Sequence, residues 1–289
     1  MPVYEPIDLD SLIQQANQLD PLPASATQLT SILGREDWDL DDVTPIVALD
    51  QGLTGKLLRV ANSAAGGAVD RVATVDQAVV RMGAGTVLAL AIGAGVRKQV
   101  SIPLPEYGLS EDDLWDHSVA ASIVADGLRE YTQRPVPLEA PTAALLHDIG
   151  KLVLARHLDD GLLHYLASAR KDAGLSEQRA EIEILGVNHA ELGGLVAQHW
   201  NLPPTIVEGI SYHHTPADAY YAHEESVIAH TTYVSNEVAH FVTSDDHEPR
   251  THSAQLAASK IRLGISNKDY YRMCHDMRER FAEVSSLYG

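Results

Sequence analysis

The chain is predicted to be all-α, a helical bundle that carries an N-terminal helical subdomain. Apolar residues return at i, i+3 and i+4 through Leu9, Leu12, Ile13 and Ala16, and again through Leu53, Leu57, Leu58 and Ala61. That is the period of a helix burying one face, and no alternating, strand-like stretch competes with it. Hydrophobic residues make up 45% and charged residues 21% of the 289 residues, which is ordinary globular usage and enough apolar surface for one large core or two smaller ones.

Turn signals at Pro21-Leu22-Pro23, Gly34 and Gly66-Gly67 divide the first hundred residues into about four or five short helices. The apolar run Ala84 to Val96, between Arg81 and Arg97, falls short of the ~18 residues of a membrane span and reads as a buried helix. Pro103, Pro105 and Gly108 then interrupt every regular pattern. The run Ser110-Glu111-Asp112-Asp113 that follows is a helix start. The division therefore falls between an N-terminal subdomain, 1–108, and a second helical subdomain, 109–289. Helices are expected at Asp113 to Glu130, Pro141 to Arg156, Leu162 to Ala173, Ser176 to Leu185, His189 to Trp200, Pro204 to Tyr212 and Ser226 to Val242, with two more near the C-terminus. No repeat of solenoid period is visible.

The formal charge of -19, from 21 Lys plus Arg against 40 Asp plus Glu, repels phosphate backbones and anionic lipid, so neither nucleic acid nor membrane is an expected partner. Met1 to Asp10 has no basic, apolar leader, which points to a cytoplasmic protein. Cys274 stands alone, so no internal disulfide forms and any metal must sit on histidines and carboxylates.

Against this helical background His117, the pair His147-Asp148, His189 and the pair His213-His214 stand out. Imidazole with carboxylate suits divalent iron, manganese, nickel or zinc, and Asp148 beside His147 could bridge two ions. The site would hold one ion or two. His147-Asp148 closes the apolar run Ala144-Leu145-Leu146, where unpaired polar groups would be costly to bury. Lys151, one turn after His147, is the candidate catalytic residue: its ammonium could reach a phosphate oxygen held at a metal. Either pair alone is also compatible with a helix-end hydrogen bond or a surface turn. Jointly, in this order and on helices, they point to a metal site or its remnant. His157, His164, His199, His223, His240, His247, His252 and His275 share no spacing and read as solvated.

The segment His147-Asp148-Ile149-Gly150-Lys151, preceded by His117 and followed by His189 and His213-His214, resembles the HD superfamily of metal-dependent phosphohydrolases, in particular its HD-GYP branch. Leu22-Pro23, the stretch Leu53 to Ala64, Val75 to Gly83 and Trp200-Asn201-Leu202-Pro203 resemble the HDOD family, although Asp50-Gln51 stands where a typical member has Asp-Pro. The resemblance covers residues 10–240. It implies an HD-type helical bundle serving bacterial signal transduction, as the output of a response regulator or beside receiver, kinase or GGDEF-type proteins, with a nucleotide or phosphate as a further ligand.

Two departures from the HD-GYP pattern bear on activity. Nothing after His213-His214-Thr215-Pro216 resembles the Gly-Tyr-Pro element. The final metal-binding aspartate is missing, with Tyr233 expected at its position and His230 a conceivable substitute. The ion of His117, His147 and Asp148 should then be weakened, while Asp148, His189, His213 and His214 make a fuller site. Three readings follow: a signalling module with little or no catalysis, a metal-dependent phosphohydrolase acting on a nucleotide or cyclic dinucleotide, and a structural adaptor with remnant histidines.

Overall fold

A computed structural model describes residues 14, 19–35, 37–63, 71–158, 160–221 and 224–288. The predicted helix through Leu9, Leu12, Ile13 and Ala16 and the turn at Gly66-Gly67 lie outside those residues. The first part contains α1 (Ala24–Leu33), α2 (Leu40–Leu49), α3 (Gln51–Ala61) and α4 (Val75–Val100). Asp39 caps α2 in a reciprocal capping box with Asp42. The Asp50 carboxylate caps α3 through the Leu53 N–H and also accepts from the Ser25 hydroxyl, which ties α1 to the α2–α3 corner.

Helix α4 is the predicted apolar helix and forms the floor of the core. Gly83, at φ 76° and ψ 152°, breaks it into two segments, a conformation that a side chain would oppose. By length and composition α4 could cross a membrane, but 67% of its most apolar window is packed inside the fold. Leu88, Leu90 and Ile92 are almost fully buried there, each contributing about 2 kcal/mol of transfer free energy.

The expected interruption is a short 3-10 turn, Pro105–Tyr107, closed by Gly108 in the left-handed region and by paired Leu104 and Leu109. The second part runs α5 (Asp113–Gly127), α6 (Ala140–Leu146), α7 (Gly150–His157), α8 (Asp160–Ala173), α9 (Glu177–Leu185), α10 (His189–His199), α11 (Pro204–Ser211), α12 (Val227–Val242), α13 (Ala254–Leu263) and α14 (Asn267–Tyr288). A two-residue antiparallel ladder, β1 (Tyr220–Tyr221) with β2 (Glu224–Glu225), joins α11 to α12. Helix α5 is buried nearly all round, and its small residues Ala120, Ala121 and Ala125 let α6 and α12 approach closely. Helix α14 covers α5 and returns to α3, where Lys56 Nζ donates to the Tyr288 carbonyl.

One predicted helix divides. Pro141 to Arg156 is two helices, because the backbone through His147, Asp148 and Ile149 tightens to three-residue hydrogen bonds, Ile149 N–H to Leu146 and Lys151 N–H to Asp148. Apolar periodicity continues through the break, so the sequence pattern conceals it.

Candidate metal centre

The turn between α6 and α7 places His147 and Asp148 side by side in the interior. A Cβ at Gly150 would stand 2.0 Å from the His189 carbonyl oxygen and 2.6 Å from the Gly193 N, so a glycine here lets α7 touch α10. That contact brings His189, the first residue of α10, over Asp148. Asn188 and Glu191 form the capping box that starts α10 at this point. His213 and His214 follow the end of α11, and His117 comes from the middle of α5.

The six predicted ligands converge. Asp148 lies at their centre and is 3% exposed. Its Oδ1 faces His189 Nε2 at 3.2 Å and His213 Nε2 at 3.7 Å, while its Oδ2 faces His147 Nε2 at 3.3 Å and His117 Nε2 at 3.9 Å. His189 and His214 bring their Nε2 atoms to 2.9 Å, and His117 and His147 theirs to 3.3 Å. Two donor groups result, His189 with His213 and His214, and His117 with His147 and Asp148, each with its ligand atoms within 4.8 Å of one another.

The histidines are aimed. His147 Nδ1 donates to the Ala144 carbonyl and His213 Nδ1 to the Ile210 carbonyl, both at 2.7 Å, which leaves each Nε2 lone pair pointing at Asp148's surroundings. His189 Nδ1 donates to Glu181 Oε2 at 2.6 Å, the carboxylate–histidine arrangement that orients metal ligands and raises their basicity. Glu181 also accepts from the His189 N–H and from the Tyr107 hydroxyl. His213 Nε2 is buried and has no hydrogen-bond partner among the described residues. Such an orphan is costly unless something binds it. An ion with bonds of about 2.0–2.2 Å separates its donors by roughly 3.0–3.5 Å, so the spacings fit a divalent transition metal.

Burial first, and neighbouring imidazoles second, hold His117 and His213 well below the usual histidine range, and burial with His189 does the same for His214. They are neutral, as metal ligands must be. Burial opposes charge on His189 too, but Glu181 and Asp148 outweigh it and push its pKa up to about 9. Asp148, despite burial, is kept ionised by His147 and Lys151.

Lys151 Nζ is clamped between Asp148 Oδ2 at 2.8 Å and Glu177 Oε2 at 2.9 Å, above the Tyr107 ring. Two of its three protons are thereby committed to carboxylates, and it stays charged. The third can face the cavity of about 510 Å³ that opens onto His117, Asp148 and Lys151. Asp113, Asp116, Glu177 and Asp245 also line that cavity, and Lys151 is its one lysine or arginine among the described residues.

Two expectations are corrected. Tyr233 does not occupy the place of the lost carboxylate: its hydroxyl faces Ser253 at 3.3 Å. Asn236, one turn on, does, with its Oδ1 at 2.9 Å from His117 Nε2. His230 is no substitute, since its Nδ1 pairs with Ser259 and it belongs to neither donor group. His240 is exposed, as expected, but it also lines the cavity and stacks on His117 with ring centroids 4.5 Å apart. His199, His247, His252 and His275 are exposed. The side chains of His157, His164 and His223 lie outside the described residues.

Fold and site together define an all-helical protein of the HD type with a buried histidine-aspartate centre. The HDOD domain model matches residues 19–216, and the chain belongs to that family. A solved structure from Shewanella amazonensis SB2B, provisionally named a phosphohydrolase, is 27% identical, with a TM-score of 0.71 over 96% of this chain and 98% of its own. An HDOD domain protein of unknown function from Geobacter sulfurreducens superposes with a TM-score of 0.69 at 20% identity, over 97% of this chain and 99% of its own. An uncharacterized protein of Treponema pallidum (strain Nichols) is 26% identical over 211 residues, which span 71% of this chain and 39% of that protein's length.

Proposed function

We propose that this chain is a cytoplasmic signal-transduction module that binds a divalent transition metal and acts mainly through protein or ligand binding. The ion sits between Asp148, His189, His213 and His214. The observation that carries this reading is the position of Asn236. The cavity touches His117 and Asp148 but has neither His189 nor His213 in its lining, so a substrate would meet the ion of the His117 side first. That is the ion whose carboxylate has become an amide. An amide oxygen offers no charge to offset a divalent cation, and hydrolysis of a phosphodiester relies on the metal to generate hydroxide near neutral pH. The acidic lining also disfavours a cyclic dinucleotide, and Lys151 is held by carboxylates. Partners would be receiver, kinase or GGDEF-type proteins, meeting a helical surface.

The phosphohydrolase reading has its own support in the two donor groups, which the Asp148 carboxylate faces with one oxygen each, and in the Shewanella relative. Phosphodiesterase assays of wild type and Asn236→Asp with iron or manganese separate the two. Wild-type turnover should be absent or far below ordinary enzyme rates, with Asn236→Asp the more active. Wild-type turnover of ~1 per second or more, abolished in His147→Ala, would replace this reading with the phosphohydrolase.

A further inference from the structure

His240 lies four residues after Asn236 on α12, one helical turn along the same face, and both face His117. Its ring stands 4.5 Å from the His117 ring, tilted by 37°. The ring separations among the clustered histidines bracket this value: His213 and His214 are 4.0 Å apart between centroids, His147 and His213 4.8 Å, and His189 and His214 4.9 Å. The His240 nitrogens make no hydrogen bond among the described residues, and the side chain is exposed to the cavity that His117 and Asp148 also border. It therefore stands beside the donor group of His117, His147 and Asp148 and outside it as placed, so a side-chain rotation is what would carry a ring nitrogen in.

Resting on the metal-binding reading, we infer that His240 is a protein ligand of the cavity-side ion, replacing with an imidazole the carboxylate lost at Asn236. The donor set becomes His117, His147 and His240 with the shared Asp148. Three imidazoles and one carboxylate suit zinc, nickel, cobalt or iron, whereas manganese and magnesium take oxygen-rich sets. The substitution of amide for carboxylate thus changes which ion the cavity side accepts, and the cavity-facing position of His240 makes it the donor that meets an incoming ion first.

The test is titration of the metal-free full chain with cobalt(II), followed by visible absorption and calorimetry, for wild type, His240→Ala and His240→Gln. Wild type should take up two equivalents. Removing an outer partner of a ligand costs about 10–100-fold in metal affinity, so removing a ligand should weaken the second equivalent at least about tenfold in both variants, with the first unchanged. His240 is cavity-exposed, and unaltered far-ultraviolet circular dichroism would show that both variants fold. A second equivalent of unchanged affinity and spectrum in the variants overturns the inference. So does a single equivalent in wild type, which leaves the fuller site intact. No cobalt bound at all would overturn the metal-binding reading itself.

Discussion

Replacing Glu181 by glutamine removes a charge from the centre while preserving its hydrogen bonds. Glu181 is 1% exposed, and its Oε2 accepts from both the N–H and Nδ1 of His189, at 2.9 and 2.6 Å. A glutamine carbonyl can take both donors while its amide turns to the Tyr107 oxygen. Two effects then oppose one another. Loss of the carboxylate makes His189 Nε2 a poorer ligand, about 10–100-fold in affinity. The same carboxylate holds the metal-free His189 pKa up to about 9, so at pH 7 a proton occupies the ligand about 99% of the time and weakens wild-type binding ~100-fold. The glutamine variant escapes most of that competition. Its affinity should match wild type to within about tenfold at pH 7 and fall 10–100-fold behind it at pH 9.5. Calorimetry in buffers of different ionisation enthalpy should show wild type releasing nearly one more proton per ion than the variant at pH 7. The sign of the stability linkage follows from the raised pKa. In the metal-free protein the His189–Glu181 pair stabilises the fold fully below about pH 6.5 and loses its contribution, about 3 kcal/mol, as pH rises through about 9. Equal deficits at both pH values, with equal proton release, would refute the reasoning.

Gly150→Ala should destabilise the fold by about 1–3 kcal/mol in denaturant unfolding, since the added methyl meets backbone of His189 and Gly193, which cannot turn aside. It should also lower metal content by moving His189 off Asp148, and wild-type stability with full loading would show that α7 can retreat without cost. No salt-sensitive DNA binding is expected at a net charge of -19, and a submicromolar duplex shift at physiological salt would contradict that.

How far this was legible in sequence depends on what each feature rests on. Helices declared by local chemistry appear where expected: Ser176 caps α9, Asn188 caps α10 and Pro204 opens α11. The six candidate ligand positions could be picked out because histidine and aspartate in apolar helical runs have few other uses. What the sequence hid depends on helix phase and long-range contact. Asn236 and Tyr233 are one turn apart on α12, and only the packing of α12 against α5 decides which faces His117. Glu181 reaches His189 across the α9–α10 corner, and an acidic residue at that spacing carries no motif. His240 follows Asn236 by one turn, a signal that becomes readable only after Asn236 is placed.

The most direct test is an anomalous-scattering map, recorded at the metal absorption edge, of protein purified anaerobically with its own metal and of His213→Ala and His117→Ala alongside. Wild type should show its strongest peak between Asp148, His189, His213 and His214. His213→Ala should lose that peak, and His117→Ala should keep it. A wild-type map without a peak, or with its main peak between His117 and His147, would contradict the account.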